Sequence, residues 1–253
     1  MKPRGHGVFI GRFFGIDFFL DYSWFLIAGI VTSMLALRFF PQALPGHGPV
    51  VYVMLGAIAA SLFFLSILLH ELGHSLVSQR CGIPVPRILL LFIGGIAHIS
   101  REPDDAKSEL KIALGGPAVS LLLVLIYKGL GVAFVHLHAR EMAVIFNWLS
   151  FVNIVLVLFN AFPGYPLDGG RVLRALLWLR SGDFRRATYV ATRFGIVFAY
   201  ALMLLGVLAL FYRQWNALVL FVIGIFLRKA ATKGYERAVR QELPQNPPPS
   251  AVP

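Results

Sequence analysis

Long runs of apolar residues, separated by short charged segments, occupy most of the chain. A helix that crosses about 30 Å of hydrocarbon needs roughly 20 predominantly apolar residues, because each residue advances the helix axis by about 1.5 Å. Six runs approach this length, and we interpret them as transmembrane helices. They lie at about residues 22–40, 52–70, 112–135, 142–162, 194–212 and 215–227, and the last of them is short.

Two other segments have the composition of short strands. Residues 7–19 are rich in Phe and Ile and are interrupted by Gly11 and Gly15, which favours strands at the membrane surface. Residues 87–99 form two β-prone runs around Gly94 and Gly95, a pattern typical of a hairpin. We expect both segments to share one sheet. The predicted fold class is an all-α polytopic membrane protein with six transmembrane helices and a small membrane-associated β-sheet or hairpin.

Composition and charge support a membrane protein. Apolar residues make up 58% of the sequence and charged residues 14%, which lies outside the usage of ordinary soluble domains. The formal net charge is +11. Lysine and arginine accumulate on the cytoplasmic side, and with the N-terminus inside, only Arg38, Arg140 and Arg213 fall on the other side of the six spans. The basic charge therefore indicates that both termini are cytoplasmic, and no nucleic-acid partner is expected.

The chain is expected to form one membrane domain at residues 1–240. Residues 241–253 contain five prolines and little to bury, which predicts a disordered tail or the start of a linker. The first apolar run is long and lacks a small-residue cleavage site, so we interpret it as a retained helix rather than a secretory signal. With Cys81 as its single cysteine, the sequence offers neither an intramolecular disulfide nor a cysteine-based metal cluster.

One motif in the second apolar run has metal-binding spacing. The sequence HELGH places His70 and His74 four residues apart, so both imidazoles project from one face of a helix. Zinc accepts imidazole and carboxylate ligands and leaves one position for water, whose pKa falls toward about 7. Glu71 lies beside the histidines and can accept the proton of that water. Because an ionisable group in an apolar span is costly, a functional role is favoured over a fortuitous helix end.

A catalytic zinc usually has three protein ligands, and the motif supplies two. Asp168 is the best candidate for the third, because it follows the fourth apolar run in NAFPGYPLDGGR. Two prolines there interrupt regular helix, and two glycines permit close approach of the backbone. The other acidic residues fit less well: Glu102, Asp104, Asp105 and Glu109 indicate a solvated surface, and Asp183 is expected to be a helix N-cap.

The two motifs together resemble the site-2 protease family of intramembrane metalloproteases. The similarity extends over nearly all six apolar runs, including FIGG at residues 92–95 and GGP at residues 115–117. One position departs from the family. Many members carry an asparagine three residues after that proline, where this chain has Ser120, so the polar helix contact of the asparagine is in doubt.

The resemblance implies a zinc metalloendopeptidase that hydrolyses a peptide bond in or near a transmembrane segment of a membrane-tethered regulatory protein. It implies that His70, His74 and Asp168 bind one Zn²⁺ per chain and that Glu71 is the general base. Asn160 matches the family asparagine that steadies the substrate carbonyl or the developing oxyanion. The expected partners are a single-span membrane protein substrate and the lipid bilayer. The expected location is a bacterial or archaeal cytoplasmic membrane, and the oligomeric state is left open.

Two other classes of protein remain as alternatives. A catalytically silent scaffold of the same fold could bind membrane partners, but it would have little reason to keep Glu71 with all three ligands. An intramembrane metal transporter could use His and Asp, but it would need further polar residues along a path through the bilayer. Between Ser120 and Val135 only Lys128 is charged, and it is expected either to snorkel outward or to serve a function. Both alternatives predict zinc binding without proteolysis.

Overall fold

A computed structural model describes residues 7–91, 94–213 and 217–242. The described chain is mostly helical, with a short π-helical segment, Leu35–Phe39, between the first two helices. The strands are β1 (Val8–Phe13), β2 (Ile16–Leu20), β3 (Arg87–Leu91) and β4 (Gly94–His98). The helices are α1 (Tyr22–Met34), α2 (Phe40–Ala43), α3 (Pro49–Arg80), α4 (Ala106–His136), α5 (Arg140–Asn160), α6 (Asp168–Ser181), α7 (Phe184–Phe211) and α8 (Leu218–Glu242).

Five helical segments of the described chain are long and apolar enough to cross a membrane. They are Tyr22–Ala43, which joins α1 to α2, and the helices α3, α4, α5 and α7. Each contains or overlaps one of the first five predicted spans. The sixth predicted span falls on α8, which is not among these helices. The apolar run of α8 ends at Leu227, and the next two residues are Arg228 and Lys229. Residues 218–227 therefore extend only about 15 Å along the helix axis.

Contacts within the chain divide it into two compact units. The first consists of Met1–Arg101 and Leu114–Phe159, and the second of Glu102–Ala113 and Asn160–Pro253. The single domain at residues 1–240 stays a prediction. Of the predicted tail, residues 241 and 242 end α8, and residues 243–253 lie outside the described residues.

The first unit contains the predicted sheet. Its four strands have the order β1-β2-β3-β4, with β2 parallel to β3 and the other pairs antiparallel. The two strand-rich segments therefore do share one sheet. One detail was wrong: Gly94 and Gly95 pair with Leu91 and Leu90 and begin β4, so they do not form the hairpin turn. Strand β3 continues to Leu91, and residues 92 and 93, between the two strands, lie outside the described residues.

The sheet packs against the helix that carries the HELGH motif. Ile16, Phe18 and Ile88 are buried from the sheet side, and Leu68 and Leu72 of α3 pack against them. A second cluster of buried residues forms the interior of the helical part of this unit, with members from the first helical segment, α3, α4 and α5. The motif therefore lies between the sheet and other helices of the first unit.

Helices α3 and α4 approach each other closely where both carry glycine. A Cβ added at Gly73 would lie 2.5 Å from the carbonyl oxygen of Gly115, and one added at Gly115 would lie 2.7 Å from that of Gly73. These distances are far below ordinary van der Waals contact, so glycine is required at both positions. The close approach sets α4 directly beside the turn of α3 that contains the motif.

In the second unit, the loop at residues 161–167 is held by close backbone contacts. The Tyr165 N–H donates to the carbonyl oxygen of Ala191 in α7 at 3.0 Å. A Cβ at Gly195 would overlap the Tyr165 carbonyl oxygen, and one at Gly169 would overlap the carbonyl oxygen of Ala161. The predicted need for glycine after Asp168 is therefore confirmed: the first turn of α6 packs against the loop that precedes it.

Candidate metal centre

The two histidines of the motif project from one face of α3, as their spacing predicts. Both side chains are buried, with 4% of each residue exposed. The Nε2 atoms of His70 and His74 lie 3.2 Å apart. Two nitrogens that are each about 2.0–2.1 Å from a tetrahedral zinc ion are separated by about 3.3 Å, so the pair has a spacing that suits a shared metal ion.

A glycine of α4 leaves space beside these two nitrogen atoms. A Cβ added at Gly116 would overlap Nε2 of His74 and lie 2.7 Å from Nε2 of His70. Any other residue at this position would therefore occupy the volume next to the donor atoms. The GGP segment at residues 115–117 thus has two physical roles, because Gly115 permits the helix contact and Gly116 keeps the donors accessible to a metal.

Ser120 of α4 makes the polar contact that the sequence left in doubt. Its side chain is fully buried, and its Oγ lies 2.9 Å from Nδ1 of His70. A hydroxyl oxygen that accepts the Nδ1 proton makes Nε2 the nitrogen that carries the lone pair, and it fixes the orientation of the ring. Ser120 therefore supplies a polar helix contact at the position where the resemblance led us to expect asparagine.

We expect Ser120→Ala to weaken zinc binding by about 10–100-fold, because ligands that lose a supporting hydrogen bond commonly lose this much metal affinity. Competition with a zinc-binding dye measures the change. Ser120→Asn should restore much of the affinity, since an amide oxygen can accept the same proton. Ser150→Ala is the matched control, because the buried Ser150 Oγ bonds the carbonyl oxygen of Val124 at 3.1 Å and not His70. Wild-type zinc affinity in Ser120→Ala would contradict the role.

Glu71 stands between the two histidines in sequence and is partly buried. Strand β4 lies against it, because a Cβ added at Gly95 would overlap the Glu71 side chain. The Ser75 hydroxyl donates to the Glu71 carbonyl oxygen at 2.8 Å within the helix. The side chain of Glu71, the predicted general base, thus contacts the backbone of the edge strand β4 at Gly95.

Asp168, the predicted third ligand, belongs to the second unit and is the first residue of α6. It is buried, with 8% of its surface exposed. The two histidines belong to the first unit and are buried as well. Two imidazoles and one carboxylate are the donor types that a catalytic zinc uses, with a position left for water. The donor chemistry therefore fits zinc.

Asn160, the predicted catalytic amide, is the last residue of α5 and is partly buried. Its position eight residues before Asp168 puts it at the start of the loop described above. Its role toward a substrate stays a prediction.

The expectation of a solvated acidic surface was wrong for Glu109. This residue is completely buried and pairs with two arginines of α6. Its carboxylate accepts from Arg174 at 2.6 Å and from the Nε of Arg171 at 3.1 Å, and Arg174 also pairs with Glu102 at 2.9 Å. The arginines lie more than 60 residues away in sequence, so composition alone gave no sign of this cluster.

The cluster also changes the protonation equilibrium of Arg171. Burial lowers the pKa of the Arg171 guanidinium, but attraction and hydrogen bonds to Glu109 outweigh burial, and the net effect is a raised pKa. The charge of Asp168, three residues earlier on the same helix, adds to this effect. Burial raises the pKa of the Tyr165 hydroxyl nearby. Arg171 thus stays charged, and the first turns of α6 are attached to the beginning of α4 by ion pairs.

We expect Glu109→Gln to lower the free energy of unfolding by about 3–5 kcal/mol, since it leaves the buried Arg174 and the largely buried Arg171 without their shared counter-charge. The shift of the unfolding midpoint in detergent measures this change. Glu236→Gln provides the control, because Glu236 lies on the exposed side of α8. A Glu109→Gln midpoint equal to that of Glu236→Gln would show that the cluster contributes little.

The fold and these side chains define a class: a membrane protein of several apolar helices that carries a buried histidine pair of metal-binding spacing in one of them. The sequence profile of peptidase family M50 matches residues 58–136 and 128–202, which together make up more than half of the chain. The chain therefore belongs to peptidase family M50, and the resemblance to site-2 proteases is confirmed.

Known relatives extend the similarity over most of the sequence. The protein sll0528 of Synechocystis is 39% identical over 203 residues, which make up 79% of this chain and 52% of that relative. Rip3 of Mycobacterium tuberculosis is 37% identical over 239 residues, or 92% of this chain and 60% of that relative. The chain thus spans little more than half the length of these curated relatives.

A solved structure is similar over nearly its whole length. The site-2 protease from Methanocaldococcus jannaschii matches with a TM-score of 0.61 and 26% sequence identity. The match covers 90% of this chain and 94% of that one. A curated zinc metalloprotease of the same organism is 33% identical over 171 residues, which make up 68% of this chain and 47% of that relative.

Proposed function

We propose that this chain is a zinc metalloendopeptidase that hydrolyses a peptide bond in or near a transmembrane segment of a membrane-tethered regulatory protein. The observation that carries the proposal is the buried pair of Nε2 atoms 3.2 Å apart on α3, with Glu71 on the same helical turn. Membership of peptidase family M50 supports it. The substrate is proposed to be a single-span membrane protein, as in regulated intramembrane proteolysis.

In this proposal His70, His74 and Asp168 hold one Zn²⁺ per chain. When bound, zinc polarises the substrate carbonyl and lowers the pKa of water toward about 7. Glu71 accepts the proton of the attacking water and then delivers it to the nitrogen of the leaving amine. The Asn160 amide donates to the carbonyl oxygen as negative charge develops there, which is the role of an oxyanion-stabilising group.

A peptide bond in a transmembrane helix is already hydrogen-bonded, so cleavage requires local unwinding and replacement hydrogen bonds. The edge of β4 can supply them, because β4 is the last strand in the order β1-β2-β3-β4. A substrate segment that adds to this edge as a further strand would be extended beside Glu71, since Gly95 lies against that residue. The edge strand is therefore the proposed substrate-binding element.

We expect Ile96→Pro to lower the rate of cleavage by about tenfold, the effect of losing about one backbone hydrogen bond to the substrate. Zinc content should not change. Cleavage of a single-span substrate in proteoliposomes, with zinc measured on the same sample, tests this. Ile10→Pro is the control, because β1 is the opposite edge of the same sheet and is exposed. An unchanged rate in Ile96→Pro removes the strand from the mechanism.

The proposed orientation places both termini in the cytoplasm of a bacterial or archaeal cell, with six crossings of the cytoplasmic membrane. The distribution of lysine and arginine supports it, because nearly all of these residues then lie on the cytoplasmic side. The five long apolar helices account for five crossings. The sixth is assigned to α8 with the residues before it.

The deciding experiment is cleavage of candidate single-span substrates by the full chain in proteoliposomes, with and without a zinc chelator. The expected result is cleavage that stops when zinc is removed and returns when zinc is added. A catalytically silent scaffold and a metal transporter would both bind zinc and leave every substrate intact. Zinc binding without any cleavage would therefore replace the protease by one of these two alternatives.

A further inference from the structure

Lys128 is a charged residue inside an otherwise apolar stretch of α4. No other charged residue occurs between Ile112 and Val135. Lys128 lies eight residues before His136, the end of α4, which corresponds to about 12 Å along the helix axis. Its position is therefore well inside the apolar part of the helix, in the half that leads to the loop at residues 137–139.

The side chain of Lys128 is attached to the neighbouring helix α5 by a specific contact. Its Nζ donates to Oδ1 of Asn147 at 3.0 Å, and Nδ2 of Asn147 donates to the carbonyl oxygen of Ala143 at 2.8 Å. A Cβ added at Gly131 would lie 2.9 Å from Nδ2 of Asn147, so the amide fits closely against α4. Asn147 is seven residues after Arg140, or about 10 Å from the start of α5. The hydrogen bond to Asn147 therefore holds the ammonium group beside the apolar parts of α4 and α5, away from the ends of both helices.

The charge of Lys128 has no acidic partner among the residues that the structure describes. An ammonium group has three N–H donors, and one of them is used by Asn147. Within residues 7–91, 94–213 and 217–242, Lys128 takes part in no ion pair. The residue is exposed on the outer surface of α4. An uncompensated cation that the protein fixes inside an apolar span indicates a functional contact.

The surface around Lys128 is suited to another helix. Leu121, Leu125 and Val132 are 55%, 65% and 48% exposed on the outer side of the same helix. A Cβ added at Gly129, the next residue, would meet nothing within 4 Å. Small residues let the backbones of transmembrane helices approach closely, and polar side chains then bond across the interface.

We propose that Lys128 and Asn147 form an intramembrane docking point for a transmembrane helix of another membrane protein that carries an Asp or Glu at the same depth. The carboxylate of the partner accepts from the two N–H groups of Lys128 that Asn147 does not use. Charge complementarity selects the partner, because an apolar helix offers no anion to the ammonium group. This inference is independent of the proposed proteolysis, since it concerns binding at a surface remote in sequence from the metal-binding motif.

The test uses the full chain in phosphatidylcholine vesicles and synthetic transmembrane peptides of leucine and alanine. One peptide has an Asp eight residues from one end, and matched peptides have Asn or Leu there. Energy transfer between labelled protein and peptide measures binding. We expect the Asp peptide to bind at least about tenfold more tightly than the Leu peptide, with the Asn peptide between them.

Lys128→Met should remove this preference, and Lys111→Met should leave it unchanged, because Lys111 is exposed near the other end of α4. Equal binding of the Asp and Leu peptides to the wild-type chain overturns the proposal, and so does a preference that survives Lys128→Met. Loss of the preference when phosphatidylglycerol is added overturns it in favour of a lipid headgroup. If Lys128→Met does not fold, a second peptide with its Asp at the bilayer centre provides the test. Binding of this peptide as tight as that of the first Asp peptide overturns the proposal.

Discussion

Glu71→Gln should abolish peptide cleavage while zinc remains bound. Glutamine has nearly the same shape as glutamate but cannot accept a proton from water, so only the general-base step is removed. Loss of a general base typically lowers the rate by about 10²–10⁴-fold. Cleavage of a single-span substrate in proteoliposomes gives the rate, and elemental analysis of the same sample gives the zinc content.

Glu236→Gln is the matched control for Glu71→Gln, because it makes the same change at an exposed position of α8. It should cleave at the wild-type rate. A fully active Glu71→Gln protein would refute the assignment of the base. A Glu71→Gln protein that has also lost its zinc would show that Glu71 supports the metal ion rather than the proton transfer.

The second large effect is expected for Asp168→Ala, which should lose zinc and cleavage together. Two histidines alone leave a catalytic zinc with one protein ligand too few. The fall in affinity should exceed the about 10–100-fold expected when a ligand loses only its supporting hydrogen bond. Zinc per chain after dialysis, followed by a titration that returns zinc, measures the loss. His70→Ala is expected to give the same result.

Asp104→Ala is the control for Asp168→Ala, because Asp104 is exposed and belongs to the same unit. It should retain zinc and activity. If Asp168→Ala binds zinc with wild-type affinity, the third ligand is another residue, and the proposed centre must be revised. The order of affinities, wild type above Ser120→Ala above Asp168→Ala, separates a supporting residue from a ligand.

The fold was predictable where its signal is local. Apolar runs of roughly 20 residues identified five spans, because crossing a bilayer requires that length in one continuous segment. The sixth prediction is not confirmed, since Arg228 and Lys229 cut the apolar run short. The strands were predictable from composition, but the parallel pairing of β2 with β3 was not. It joins segments about 70 residues apart, and only tertiary packing sets such a register.

The same distinction applies to the candidate centre. The spacing of His70 and His74 is a property of one helix, so the sequence predicted that they lie together. The contact of Ser120 with His70 depends on how α4 packs against α3, which the spacing of residues does not determine. Glu109 was misjudged for a similar reason. A carboxylate in a charged segment is normally solvated, unless distant arginines such as Arg171 and Arg174 are brought to it.

The close fit of Gly116 against the two histidine rings affects how related sequences that carry both motifs should be interpreted. A single methyl group there would overlap Nε2 of His74 and crowd Nε2 of His70, so both rings would have to move while HELGH and the LDG aspartate stay intact. A chain with alanine at this position would carry both motifs and still have its two Nε2 atoms displaced from the 3.2 Å spacing found here. The shortest sequence signature of this histidine pair therefore includes the glycine.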